Sequence, residues 1–600
     1  MPACRAFYFA GQKPLASSVK PDSRRQQILP ASRQKRPARK HILLSSYLRR
    51  LELDGCKIPR PIVPSTDFAG TQLNRLIFSF YGEAWTIEAP IDWEHNPGTA
   101  HWGHDLNRFG FLNFEEVLSS EKEIRAGLAL MLDWISKHNR KRFKFSPYAW
   151  RNMINIAIRT ENWVRFLQFV DKTYPDLLPE DSRARIAESI FRQTMMVIRW
   201  VRKRSRADNW TLISLRSIHV VLLSWPEFPH SGRLLAICES YLIRTVELQV
   251  LPDGVQHELS SHYHWAFLEL TLSITTLRRE AGVPVAPLLL DKIRAMSAYL
   301  QDLICPDGSV VALGDADADY GPRISEFLQQ QTSATGHSEF QKGHHSTKSR
   351  LYPYAGIAIL RNRESNSLLV FDSGPFGMVH QHEDALSLWY CAFGVNLLID
   401  PGRYLYEQGE DKPIAYLRSS RAHSTIGING HGQNARANPD EWKRSEPGPP
   451  YLDIENGVYR LKGFFDQGYG PDNLPVRHER SITTRADFST LVVKDHLIKD
   501  GGGHYLVEQR WQAAPGAFNL EPGRFCLKRQ GVLMEIHFDQ HSWEQWDVVI
   551  GEKDPWDGWV STGLNKIEPT PVLVLRGHFD LAATITTRIT ASRLTGLEST

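Results

Sequence analysis

Residues 379–406 read VHQHEDALSLWYCAFGVNLLIDPGRYLY, and residues 418–430 read RSSRAHSTIGING. Apolar residues here run on or alternate with a period of two and stop at Gly, Pro and Asn, which is the pattern of β-strands rather than of helices. His380 and His382 lie two apart, so a strand presents both imidazoles on one face. Asp400 closes the run CAFGVNLLID just before Pro401 and Gly402, where a strand stops and the chain turns. His423 precedes the alternating segment STIGING. Imidazoles and a carboxylate at strand ends are the donor mixture a divalent metal takes, with one position open in a catalytic site and closed in a structural one. Unrelated strand-end histidines would produce the same spacing.

The period of two extends through the rest of the second half. SLLVFDSG, GVYRLKGFF, RSITTRADFSTLVVKDHLI, HYLVEQRWQ and VLMEIHF alternate or run apolar between turn residues, with no helical pattern between them. Many short strands in series predict an antiparallel β-sandwich. The first half has a different period. In EEVLSSEKEIRAGLALMLDWISKHN, residues Val117, Ile124, Leu128, Met131 and Ile135 mark one helical face. SPYAWRNMINIAIR opens with Ser146 as N-cap and Pro147 at the first helical position. Five further amphipathic segments follow up to residue 305, joined by short loops that make neighbours antiparallel. Pro-Asp-Gly ends two of these helices, at 252–254 and again at 306–308. A helical hairpin repeated at that spacing predicts a curved or closed array, with an irregular bundle as the alternative. The change of period falls near 335–350, where the chain is polar and His344 and His345 read as linker.

Six hundred residues exceed one core, so at least two large domains are expected. The net charge of +4 is unevenly placed: residues 1–40 hold ten Lys or Arg against Asp22 alone, which leaves −5 on the remaining 560 residues. That Pro-, Ser- and Arg-rich stretch is expected to be disordered, and it lacks a clear signal-peptide apolar region. The six cysteines are scattered and indicate neither a disulfide framework nor a zinc ribbon. No run reaches the roughly 18–20 apolar residues of a membrane span.

IDWEHNP, HWGHDLNRF, SPYAWRNMINIAIR, DNWTLISLRSIHVVLLSWPEFP, VLPDGVQHELSSHYH, ALGDADADYGPR, VHQHEDALSLW, LLIDPG and RAHST follow one another in an order that resembles the heparinase II/III family of polysaccharide lyases, nearest to heparinase III. The resemblance runs over most of residues 75–510. It implies an α+β multidomain chain that follows the basic tail over 1–40 with an incomplete (α/α) toroid over 41–345 and a β-sandwich over 346–600. It assigns catalysis to Asn209, Tyr263 and His380, and metal binding to His382, Asp400 and His423. Glu258, Trp210 and His262 fall beside these as substrate-binding candidates. The implied cofactor is a divalent metal, most simply a structural zinc, and the implied partner is an acidic polysaccharide; nucleic acid is not expected. Export to the periplasm or medium would suit such a substrate. Val379 replaces the Gly expected before the first His, and His-Ser-Thr replaces the usual His-Asn-Thr.

The chemistry explains the residue types. A uronate lyase removes the proton at C5 and expels the sugar oxygen from C4, next to a carboxylate that resists a second negative charge. A neutral donor such as Asn209 can quiet that carboxylate, and a phenol, with an ordinary pKa of about 10, serves once nearby cations favour its ionised form. Histidine is the side chain best suited to accept the proton. A metal bound at His382 would order the adjoining His380 rather than activate water. Simpler roles exist for several of these groups. Asn209 could cap the helix after it, Glu258 could cap or orient Tyr263, and DADADYG, with Asp315, Asp317, Asp319 and Glu326, has some of the spacing of a calcium loop but Tyr320 where such a loop needs Gly. The competing functions are the same elimination on alginate or another acidic glycan, a noncatalytic glycan-binding relative, and a metal-dependent hydrolase.

Overall fold

A computed structural model describes residues 75–80, 83–88, 91–96, 100–112, 120–138, 146–204, 207–225, 227–317, 321–324, 326–327, 349–374, 380–405, 412–433, 450–563 and 565–594. The expected basic tail, His344 and His345, and Asp319 lie outside these residues.

The helices are α1 (Ala100–Arg108), α2 (Glu121–Lys137), α3 (Met153–Thr173), α4 (Glu180–Lys203), α5 (Asn209–Ser224), α6 (Ser231–Gln249), α7 (Ser261–Glu280) and α8 (Pro287–Asp302). They form two open rings that do not close among the described residues. α1, α3, α5 and α7 pack on one another in series, and α2, α4, α6 and α8 pack in a second series outside them. Burial follows this layering. α5 and α7 bury residues around most of their circumference, Ser214, Ser217, His219, Thr271 and Thr275 among them, whereas α4 buries one face. The result is the α/α-toroid-like architecture that the helical repeat implied.

Local chemistry sets the helix starts. Ser120 and Glu123 form a reciprocal capping box at α2. The SPYAWRNMINIAIR segment is two elements, not one. Ser146 accepts from Ala149 N over a short wide turn at Pro147–Arg151, and Asn152 then recaps, accepting from Ile154 N and Asn155 N to start α3. Two caps six residues apart carry more weight than the continuous apolar period.

Beyond residue 349 the described elements are almost all antiparallel strands. Five run as a meander from Arg350–Tyr352 to Val395–Leu398. An eight-stranded and a four-stranded sheet complete the sandwich. Leu360, Phe371, Ile428, Ile482, Val507, Ile536 and Ile589 come from all three sheets and share one core. The run LSLWYCAFGVNLLID proves to be a hairpin. Phe393 and Gly394 both adopt positive φ, and Leu388–Ala392 turns back onto Val395–Leu398.

The two Pro-Asp-Gly turns do equivalent work. Gly254 and Gly308 both have positive φ, of 91° and 86°, and each turn closes on an isolated bridge, Val250 with Gln256 and Ile304 with Val310. Asp253 then accepts from Tyr354 N and Ala355 N at 2.8 and 3.0 Å, and Asp307 accepts from Asn396 Nδ2 at 3.0 Å. Each turn therefore fastens the end of an outer-ring helix to the five-stranded meander. No helix among the described residues is long and apolar enough to cross a membrane.

Candidate active site

Tyr263 stands on the first turn of α7, whose N-cap, Ser260, accepts from its backbone N–H. His380 lies in an irregular segment ahead of the strand Leu388–Ala392, not on a strand as its spacing suggested. The two rings are stacked, with centroids 3.6 Å and planes 13° apart. A phenol from the helical half and an imidazole from the sheet half thus occupy one place.

Arg403, from the turn after Asp400, reaches Tyr263 Oη with Nη1 at 3.4 Å. Its other nitrogens grip Asp317, Nε at 3.0 Å and Nη2 on the second oxygen. The guanidinium is almost fully buried, so solvent screens it little. Behind His380 stands Asp315, whose Oδ2 lies 3.0 Å from His380 Nδ1 and whose Oδ1 lies 3.1 Å from His382 Nε2. Arg418, on the short helix α9 (Lys412–Arg418), donates to both oxygens. Burial alone would raise the Asp315 carboxyl, but hydrogen bonds from His380 and His382 and the charges of His382 and Arg418 hold it well below the usual carboxylate range. Asp315 and Asp317 are therefore anchors for arginine and histidine, which replaces the calcium-loop reading of DADADYG.

The remaining sequence candidates fall around this pair in different ways. Glu258 is buried with Oε2 at 3.8 Å from His380 Nε2, and burial pushes its carboxyl up, with Asp208 and Asp315 adding and His380 opposing. It is not a helix cap. Asn209 is the first residue of α5, and Asp208 takes the capping role, accepting from Thr211 N at 3.0 Å. Because Asp208 acts electrostatically on Glu258, the start of α5 borders the same region. Trp210 is 43 % exposed, and the Arg204 guanidinium lies 5.9 Å from its ring. His262 is buried instead, with Nδ1 3.7 Å from Asp317 Oδ2, and burial with the Arg403 charge pushes it well below the usual imidazole range. Of the three substrate-binding candidates, Trp210 is the one presenting a broad surface to solvent.

His382 and His423 meet, with Nδ1 of the first 3.3 Å from Nε2 of the second. Each ring's other nitrogen is turned to an acceptor, Asp315 Oδ1 for His382 and the Ser419 carbonyl, at 2.8 Å, for His423. Those acceptors require ring N–H groups, so the two nitrogens that face each other carry lone pairs. With both rings neutral, a cation between the two facing nitrogens satisfies both, so the donors fit a metal ion. Asp384 completes the group: its carboxylate and the two imidazoles offer ligand atoms that all lie within 4.8 Å of one another. Asp400 is placed differently. It is buried and accepts from Ser387 Oγ at 3.3 Å, and the same hydroxyl accepts from Ser424 N, next to His423. Burial, and then the charge of Asp372, push the Asp400 carboxyl up to about 8.

Sequence reasoning did not single out Asp384, Arg403 or Arg418, and it weighed Asp315 and Asp317 only as part of a calcium loop that Tyr320 spoke against. The alternation of DADAD did hold a signal, since it sends Asp315 and Asp317 to the same side of an extended chain. Arg480 was also missed. It is fully buried on Asp495 and donates to Leu386 O and Ser424 O at 2.6 and 2.5 Å, locking the segments that carry His382 and His423.

Two family models match the chain: Heparinase II/III N-terminus over residues 68–335 and Heparinase II/III-like, C-terminal, over residues 344–588. No curated protein matches it in sequence. Among solved structures it resembles a heparinase III, at 14 % identity and a TM-score of 0.69, covering 84 % of this chain and 80 % of that one. A heparinase III gene product matches at 17 %, with a TM-score of 0.65 over 84 % and 81 %. A heparan sulfate lyase from Pedobacter heparinus matches at 18 %, with a TM-score of 0.60 over 86 % and 80 %. At these identities the structures speak for the fold, and the two models speak for ancestry. Because they match helical and sheet halves in succession, and account between them for most of its length, the chain belongs to the heparinase II/III family.

Proposed function

We propose that this protein is a polysaccharide lyase that cleaves a uronic-acid-containing glycan of the heparan sulfate kind by β-elimination. The observation that carries the reading is the stacked Tyr263–His380 pair, with Arg403 on the phenol and Asp315 behind the imidazole. An acid–base pair built this way suits the removal of one proton and the delivery of another across a single sugar ring.

In this mechanism Asn209 donates to the uronate carboxylate and lowers the resistance at C5. His380 takes the C5 proton on Nε2, the nitrogen not turned to Asp315. The C5–H electrons form the C4–C5 double bond as the C4–O bond breaks, and Tyr263 gives its proton to the departing oxygen. Arg403 stabilises the phenolate that remains until the proton is returned. Glu258, whose carboxyl burial pushes up, sits beside the base with Oε2 3.8 Å from His380 Nε2. Trp210, exposed at the opening of α5, offers a ring for sugar stacking. Zinc is the natural occupant of the imidazole pair, with His382 and His423 as ligands and Asp384 and Asp400 as the carboxylates. It would hold the loop carrying His380 and needs no activated water.

A screen of acidic polysaccharides read by ultraviolet absorbance tests this. Elimination yields a conjugated, absorbing product from a heparan-type glycan. Saturated sugar fragments would instead mark a hydrolase, and glycan retention with no product would mark a binding protein. Absorbance from alginate alone would move the substrate class while keeping the chemistry.

A further inference from the structure

The Asp315 carboxylate serves two imidazoles with separate oxygens, and each contact dictates where a ring proton sits. An ionised carboxylate can only accept. His380 facing Oδ2 with Nδ1 must therefore carry its proton there, and His382 facing Oδ1 with Nε2 must carry its proton there. The lone pairs are left on His380 Nε2, beside Glu258, and on His382 Nδ1, opposite His423. The two histidines are thus held as opposite tautomers by one group.

We propose that Asp315 is the positioning residue that sets both tautomers, so that the proton-accepting nitrogen of His380 and the metal-facing nitrogen of His382 depend on a single carboxylate. The proposal rests on the lyase reading for what His380 does, but not for how its proton is placed. The main chain points the same way. Asp315 N donates to the His380 carbonyl at 2.8 Å, and Gly314 before it has φ of +61°, where an added Cβ would lie 2.6 Å from that carbonyl oxygen. Glycine at 314 lets the backbone pass close enough for the next side chain to lie between the two rings. The Arg418 fork then restrains the carboxylate by contacting both oxygens.

An asparagine cannot replace it. Its amide presents one acceptor and one donor. The ring that meets the amide N–H must offer a lone pair there and move its own proton to the far nitrogen. If that ring is His380, the accepting nitrogen is blocked; if it is His382, the metal-facing nitrogen is protonated.

The test uses the full chain with 15N-labelled histidine, observed by NMR in zinc-free and zinc-loaded forms, without substrate. In the wild type, His380 is expected to carry its proton on Nδ1 and His382 on Nε2. Either proton on the opposite nitrogen overturns the proposal without any variant. In Asp315→Asn, one of the two rings should invert, with either a fall of roughly 10³–10⁴-fold in kcat at a KM within about threefold, or a loss of roughly 10–100-fold in zinc affinity by metal analysis. Unchanged tautomers, with kcat and zinc content both near wild type, overturn it. Arg418→Gln guards against misfolding of the first variant: it leaves the carboxylate in place, so both tautomers should persist, and inversion there would assign the control to Arg418 instead. The tautomer and zinc readouts contain no glycan, so failure of the polysaccharide screen and failure of this proposal remain separate results.

Discussion

The aromatic faces of Tyr263 and His380 lie in contact, one ring anchored at the start of an inner-ring helix and the other on a loop ahead of a strand. Such a stack survives loss of the phenol oxygen. Tyr263→Phe should therefore keep the fold and substrate affinity while kcat falls by on the order of 10³-fold or more, because the proton for the leaving oxygen is gone. Steady-state kinetics followed by ultraviolet absorbance check this, and full turnover in the variant rejects the mechanism.

Arg403 touches the same phenol with Nη1 while Asp317 holds the rest of the guanidinium. Arg403→Lys keeps a positive charge near Asp317 but loses the fork, so less charge reaches Oη. The limb of the kcat profile that reports phenol ionisation should move to higher pH by about one unit, since losing a nearby cation disfavours phenolate. A pH–rate series on both proteins measures it; superimposable profiles remove Arg403 from the reaction.

Metal retention separates the ligands. His423→Ala should lower zinc content after dialysis by an order of magnitude or more, leaving His382 Nδ1 without its partner. Asp384→Asn and Asp400→Asn, assayed in parallel, divide the carboxylates: the geometric group contains Asp384, whereas the sequence resemblance implies Asp400. Zinc content equal to wild type in the His423 variant excludes the site.

His264 is a pH-dependent part of the scaffold next to the site. Its Nδ1 accepts from Gln256 N at 3.1 Å and its Nε2 lies 2.9 Å from Met296 O, and burial lowers it to about 4. Its folded pKa lies below its unfolded one, so only the unfolded chain takes up this proton between about 6.5 and 4. The His264 contribution to stability is whole above that window and is lost as pH falls through it. The difference in unfolding free energy between wild type and His264→Gln should shrink from pH 7 to pH 4, measured in urea; a constant difference refutes the assignment.

Asp253 ties an outer-ring turn to two backbone N–H groups at Tyr354 and Ala355. Asp253→Ala should destabilise the protein by about 2 kcal/mol, the usual size for hydrogen bonds to a charged acceptor. Denaturant unfolding checks the figure. No change would mean that water replaces both contacts.

The order of helices then strands, the cap at Ser146 and the Pro-Asp-Gly repeat were legible from residues a few positions apart, because periodicity and capping are local. Tyr263, His380, His382 and His423 were legible as chemistry through the family pattern. The coupling among them was not. Asp315 is 65 residues from His380 and 103 from Arg418, and Arg403 is 140 from Tyr263. Nothing local marks such partners, since a buried carboxylate finds its arginine only when two separately folded surfaces close on it. The same reason buried His262. Sequence alone marked which residues offer acid, base and ligand chemistry and which half of the chain carries each; docking of the toroid-like helices on the sandwich decided which of those groups touch, which nitrogens face inward and which charges escape solvent.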